Sequence, residues 1–120
     1  MDNLARISNY DIAFEAVSYS VSRLSRSESD PEVKDALIGY RGILTKLSRA
    51  EDTVTKGETR DVYICLVVYR DFLDNCLGNL SDVSVRGKTL DKKRQVNAAM
   101  RELKKGYPDI IDSIDVSRLL

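Results

Sequence analysis

Apolar residues recur at alternating steps of three and four in four separate stretches of this 120-residue sequence. Such steps place the side chains on one face of an α-helix, and that face must pack against a similar one to leave water. The composition agrees, because 42% hydrophobic and 32% charged residues are typical of a globular domain. The pattern predicts an all-α fold, a four-helix bundle of the up-down type with a short fifth helix at its C-terminal end, as a single domain over residues 1–120.

The first helix is predicted to run from Ile7 to near Arg26, where its apolar stripe ends. Leu4 would add a turn at the start of this helix. A capping box formed by Ser8 and Asp11 would instead begin the helix later. Two starting points therefore stay open.

The second helix has a better defined start, because Asp30 offers a cap and Pro31 suits the first helical turn. Its stripe ends near Ala50. Gly39 and Gly42 each lower the helix propensity by up to ~1 kcal/mol relative to alanine. We expect these two glycines to permit the close approach of a neighbouring helix.

The third helix, at about 58–80, is the most apolar of the four, since Tyr63, Val67 and Phe72 lie beside its main stripe and widen it. A helix of this kind is surrounded by other helices or covered by a second subunit. The run Val62–Tyr69 is also rich in β-branched and aromatic residues, so a β-strand is the alternative, although no other segment offers it a partner strand. We expect self-association as a dimer, with these three side chains as candidate interface residues.

A break around Gly87 separates the third helix from the fourth, which is predicted to begin near Thr89. The fourth helix is expected to stop at Gly106, because the two lysines before it favour the negative end of the helix dipole and glycine can turn left-handed. Pro108 then starts the short fifth helix.

The sequence contains no histidine. This excludes Ser-His-Asp and Cys-His catalysis and the usual zinc and two-histidine iron sites within a single chain. Two aspartate pairs could each share a helix face and hold Mg²⁺, although such pairs are common on solvated faces. These pairs are Asp71 with Asp74 and Asp109 with Asp112. The prediction is a protein that is not an enzyme and has no metal or cofactor.

The two cysteines, Cys65 and Cys76, are predicted to be free core residues. Along one helix they lie roughly 16 Å apart, which is too far for a disulfide. Free thiols favour a cytoplasmic location. The N-terminal residues do not resemble a signal peptide, and the longest apolar run has eight residues against the ~20 of a membrane-spanning helix. We therefore expect no association with a membrane.

Positive charge is concentrated between residues 86 and 105, where eight basic side chains face two acidic ones. This basic segment carries a net charge of +6 in a chain with no net charge, so the other residues sum to −6. The segment would bind an acidic protein partner, or it is a solvated face that meets aspartates of the same chain at positions 71, 74, 109, 112 and 115. The basic residues are Arg86, Lys88, Lys92, Lys93, Arg94, Arg101, Lys104 and Lys105.

These features together predict a protein-binding adaptor, inhibitor or regulator that works through its surfaces. Tyr19 and Tyr63 lie off the stripes and are further candidates for a contact surface. The alternative is a nucleic-acid-binding subunit that contacts phosphates through the basic segment, without base stacking, because no aromatic residue lies among these cations. A small chain of this kind would also suit a virus or mobile element.

Overall fold

Five α-helices and one small sheet make up the fold in the computed structural model, which describes residues 4–7, 9–49, 51 and 53–118. The prediction of a mostly helical protein is confirmed. Short 3₁₀ turns follow the first and the last helix, at Ser25–Ser27 and Val116–Arg118. The strands and helices are β1 (Leu4–Arg6), α1 (Tyr10–Leu24), α2 (Pro31–Ser48), β2 (Thr53–Thr55), α3 (Lys56–Asn79), α4 (Val83–Gly106) and α5 (Pro108–Ile111).

Helix α3 is the central element. It contacts the other four helices and both strands, while α1 packs on it from one side and α4 from another. Helix α2 packs mainly on α1. Four apolar side chains of α3 have no exposed surface, namely Val62, Cys65, Leu66 and Val67. The breadth of its apolar face is therefore explained largely by other elements of the same chain, and the alternative of a strand at Val62–Tyr69 is wrong.

The two strands pair antiparallel, with Ala5 opposite Val54. These two side chains point inward and are buried, while their neighbours alternate outward, as the two-residue period of a strand requires. The prediction of Leu4 in a helical turn is wrong, because Leu4 belongs to β1. Three-residue strands show too little alternation to be recognised, and their pairing joins segments far apart in the sequence.

The helix starts depend on side-chain caps. Asp30 Oδ1 accepts a hydrogen bond from the backbone N–H of Glu32 at 3.0 Å, which confirms the predicted start of α2. Helix α3 begins with a capping box. In it, Thr55 Oγ1 accepts from the N–H of Glu58 at 3.1 Å, and Glu58 Oε1 accepts from the N–H of Thr55 at 2.8 Å. The predicted box at Ser8 lies outside the described residues.

The predicted start of α4 near Thr89 is wrong, because the helix begins at Val83. Asp82 caps it by accepting a hydrogen bond from the N–H of Val85 at 3.0 Å. Gly87 lies inside the helix, where one glycine costs only about 1 kcal/mol. The helix ends at Gly106, as predicted.

Close helix packing does not explain the glycines of α2. A methyl group at Gly39 would lie 3.7 Å from Asp61 Oδ2, which is an ordinary contact distance, and one at Gly42 would meet nothing within 4 Å. The expected close approach at these two positions is therefore absent.

Candidate functional site

Arg86, the first cation of the basic segment, has a structural role. Its Nη1 donates hydrogen bonds to the carbonyl oxygens of Leu77 and Leu80, the second at 3.0 Å. The last carbonyls of a helix have no partner inside that helix, so this guanidinium group completes the C-terminal end of α3.

Four further cations of the basic segment pair with carboxylates of the same chain. The pairs are Lys92–Glu15 at 3.3 Å, Lys93–Asp74 at 2.6 Å, Arg94–Asp91 at 3.1 Å and Lys104–Asp112 at 3.9 Å. Exposed pairs of this kind contribute about 0–1 kcal/mol each, because water screens both charges. Within the described residues, Lys88, Arg101 and Lys105 have no ion pair. The basic segment is therefore not one continuous band of free charge.

The three candidate interface residues of α3 have different surroundings. Val67 has no exposed surface, so its assignment to a contact surface is wrong: its side chain fills the core of the chain itself. Tyr63 is 9% exposed. Phe72 is 38% exposed, and it is the large aromatic side chain that α3 presents to solvent.

Phe72 is held in place by two other aromatic rings. It stacks on Tyr19 of α1 with 4.6 Å between ring centroids, and its centroid lies 6.1 Å from that of Tyr69. The Tyr69 hydroxyl donates a hydrogen bond to Glu15 Oε2 at 3.1 Å. Burial and the adjacent Glu15 carboxylate raise the pKa of Tyr69 to about 12, so the hydroxyl keeps its proton at neutral pH. The ring of Phe72 is thus exposed and anchored at once.

A groove lies on each side of Phe72. The first, between α1 and α3, has a volume of about 350 Å³ and includes Phe14, Glu15 and Tyr19. The second, between α3 and α4, has a volume of about 370 Å³, and Lys88 and Lys92 are its charged lining residues. We call these the Glu15 groove and the Lys88 groove, and together with Phe72 they form the Phe72 surface. The apolar wall of the Lys88 groove consists of Tyr69, Leu73, Cys76, Leu80 and Val85.

Sequence reasoning identified Phe72 and Tyr19 separately, but it did not bring them together. It missed Glu15 as a site residue. The spacing of four between Glu15 and Tyr19, which puts both on one face of α1, was the available sign. The two grooves carry opposite charges because α1 brings Glu15 to one side of α3 and α4 brings Lys88 to the other. No short pattern in the sequence predicts this packing.

A smaller cavity of about 230 Å³ lies where β1, α1, α3 and α4 meet, and its lining includes Ile7, Ala13, Val62, Leu66 and Leu103. Ligand pockets usually measure about 300–1,000 Å³. This cavity is therefore small for an organic ligand, and its two charged lining residues, Arg6 and Glu102, do not concentrate charge of one sign.

The described residues contain no group of three or more His, Cys, Asp or Glu side chains that could hold a metal ion. Both cysteines are free. Burial raises the pKa of the Cys65 thiol to about 12, which leaves it protonated and unreactive at neutral pH. Cys76 is half-buried beside the Lys88 groove.

In the part of the chain that the structure describes, every helix is too short or too polar to cross a membrane. The chain matches no protein-family model, no curated protein and no solved structure. Fold and site together define a small helical protein with an anchored, exposed aromatic ring between two oppositely charged grooves.

Proposed function

We propose that this protein is a non-enzymatic protein-binding module and that it dimerises through the Phe72 surface. The observation that carries the proposal is the exposed ring of Phe72, stacked at 4.6 Å on Tyr19. A fixed aromatic side chain loses little conformational entropy on binding, and such residues dominate the energy of many interfaces.

A second copy of the chain is the occupant that the charges favour. Glu15 lies on one side of Phe72 and Lys88 on the other. Glu15 also pairs with Lys92 of the same chain at 3.3 Å, but the two side chains are 43% and 46% exposed, so this weak pair leaves the carboxylate available to a second copy. In a two-fold symmetric dimer both copies use the same surface. An axis that passes near Phe72, perpendicular to the line joining the two grooves, brings the Glu15 groove of one copy opposite the Lys88 groove of the other. Lys88 has no ion pair within the described chain, and the zero net charge avoids overall repulsion between copies.

Sedimentation equilibrium tests this proposal with the variant Phe72→Ala. Loss of a central aromatic anchor costs about 2 kcal/mol or more, so we expect the dimer to dissociate at least about thirtyfold more readily. Ile38→Ala is the matched control, because Ile38 is a 64% exposed apolar residue of α2 that lines neither groove. A wild-type chain that is monomeric at millimolar concentration, or equal effects of the two variants, would contradict the proposal.

A charge exchange tests the two-fold geometry. Glu15→Lys and Lys88→Glu should each weaken the dimer by placing like charges opposite each other, and the double variant should recover most of the affinity. Circular dichroism melting shows whether Glu15→Lys has disturbed the fold through its contacts with Tyr69 and Lys92. If the dimer affinity of the double variant is reduced by the sum of the two single losses, this arrangement is refuted.

We also infer that the four long helices form an up-down bundle. The inference is supported by the three-residue connection between α3 and α4 and by the contacts of α1 with the other three helices. Long helices joined by such a short connection pack only if they run antiparallel.

Nucleic-acid binding through the basic segment has less support as a function. Four of its eight cations already face carboxylates, and Arg86 caps α3. A nucleic-acid backbone would have to displace those carboxylates. Salt-dependent binding of a generic RNA duplex that is lost when Lys92, Lys93 and Arg94 are changed to glutamate would establish this function instead.

A further inference from the structure

A second groove between α3 and α4 gathers positive charge from both helices. It has a volume of about 210 Å³, and its charged lining residues are Arg70, Arg101 and Lys104. Arg70 lies outside the basic segment, so the fold adds it to a cluster that the sequence does not reveal. The remaining lining residues are Tyr63, Asn97 and Met100.

These cations have little compensating charge. Arg70 and Arg101 have no ion pair among the described residues, and no acidic side chain lines the groove. Lys104 approaches Asp112 only at 3.9 Å, and both side chains are about 60% exposed (63% and 59%). A pair that is so long and so exposed contributes little, and a closer anion would displace it.

The spacing on α4 directs its polar groups into one place. Asn97, Arg101 and Lys104 follow one another at steps of four and three, which puts them on one face of the helix. Arg70 adds a guanidinium group from α3. Two guanidinium groups, an ammonium group and an amide are donors that suit an anion with several oxygens.

We propose that this groove binds the phosphate group of a small molecule. A monoanionic carboxylate would leave about two of the three positive charges uncompensated, whereas a phosphate close to its dianionic form at pH 7 neutralises most of them. Arginine also forms paired hydrogen bonds with phosphate oxygens, and the Asn97 amide supplies a further donor. The groove shares no residue with the Phe72 surface, so this proposal and the proposed dimer can fail independently.

Titration with inorganic phosphate and with AMP, at constant ionic strength set with sodium chloride, tests the proposal. We expect phosphate to raise the melting temperature and to shift the NMR signals of the Asn97 side-chain amide. Arg70→Gln and Arg101→Gln should each weaken binding by about tenfold or more, because each removes a charge-assisted pair of hydrogen bonds. Arg70→Lys should restore only part of the affinity, since lysine keeps the charge but not the paired geometry.

Lys105→Gln is the matched control, because it removes one unpaired cation of α4 that does not line the groove. It should leave the affinity unchanged. Tighter binding of AMP than of phosphate would identify a phosphate ester as the ligand, and equal or weaker binding of AMP would identify the free anion. An Asn97 amide that neither compound shifts, or a loss in Lys105→Gln equal to that in Arg101→Gln, would overturn the proposal.

Discussion

The two halves of α3, residues 62–69 and 70–79, continue one apolar stripe but differ in composition and in their surroundings. All eight residues of the first half are hydrophobic, whereas the second half also carries charged and amide side chains. From Val62 to Tyr69 seven of the eight residues are buried, whereas from Arg70 to Asn79 only Leu73 is. The covering elements explain the difference. Lys46 of α2 pairs with Glu58 at the start of α3, and the ring of Tyr107 lies beside the same cavity as Val62. The apolar side chains of α3 are thus buried where other elements cover them and partly exposed where they do not.

The largest expected effect is on the free energy of unfolding, which should depend more on the first half of α3 than on the second. Leu66→Ala should lower the free energy of unfolding by about 2–5 kcal/mol, because it leaves a cavity in a fully buried site. Phe72→Ala should cost less than about 1.5 kcal/mol in the monomer, since its ring is partly solvated already. Urea unfolding at low protein concentration measures both values without a contribution from the dimer. Equal losses would remove the distinction between the halves.

Thiol reactivity offers a second test, with one cysteine in each half. At pH 8 Cys76 should react with a disulfide reagent on the order of a hundredfold faster than Cys65, whose burial raises its pKa to about 12. Cys76 lines the Lys88 groove, so its rate should also fall as the protein concentration rises and the dimer forms. The variant Cys76→Ser isolates the reaction of Cys65. Similar rates for the two thiols would show that the first half is open to solvent.

Two half-buried carboxylates near the start of α3, Glu58 and Asp61, should produce opposite pH effects. Burial tends to raise the pKa of Glu58, but hydrogen bonds from Lys46 and Thr55 and the charge of Lys46 together bring it below its usual value of 4.5. Burial raises the pKa of Asp61 above its usual value of 3.8. A carboxyl group whose pKa is lowered by folding stabilises the fold at any pH above its pKa in the unfolded chain. This contribution to stability is lost as the pH falls through the lowered pKa. A carboxyl group whose pKa is raised by folding destabilises the fold as the pH rises and the group ionises.

We therefore expect Glu58→Gln to destabilise the protein at pH 7 by about 1 kcal/mol and to have a smaller effect at pH 3. Asp61→Asn should stabilise it at pH 7 and be nearly neutral at pH 3. Thermal melts of both variants at the two pH values measure this difference. Effects of the same sign at pH 7 would contradict the assignment.

The smallest effect concerns the open half. A methyl group at Gly78 would meet nothing within 4 Å, so Gly78→Ala should stabilise the monomer by about 0.5 kcal/mol through helix propensity alone. The same urea titration measures it. Destabilisation would mean that this half is packed more tightly than the structure indicates.

The sequence predicted the parts of this structure that depend on local patterns. The cap at Asp30 and the apolar stripes of α1, α2 and α3 can each be recognised within a short segment of the sequence. The start of α4 differs from the prediction because the cap at Asp82 stabilises the first turn by more than Gly87 weakens it. The pairing of Ala5 with Val54 and the stacking of Tyr19 on Phe72 join residues about fifty positions apart, so no window of sequence contains them. Val67 was wrongly placed at an interface because a wide apolar stripe does not say which of its sides is covered.

A mixed sample of isotope-labelled and unlabelled protein tests the proposed dimer most directly. In such a sample an isotope-filtered NOE experiment detects contacts between copies only. A dimer at the Phe72 surface predicts cross-peaks from the Phe72 ring of one copy to the methyl groups of Leu80 or Val85 in the other, with none from Ile38. Intermolecular cross-peaks that omit Phe72, at a concentration where sedimentation shows a dimer, would contradict the assignment of this surface.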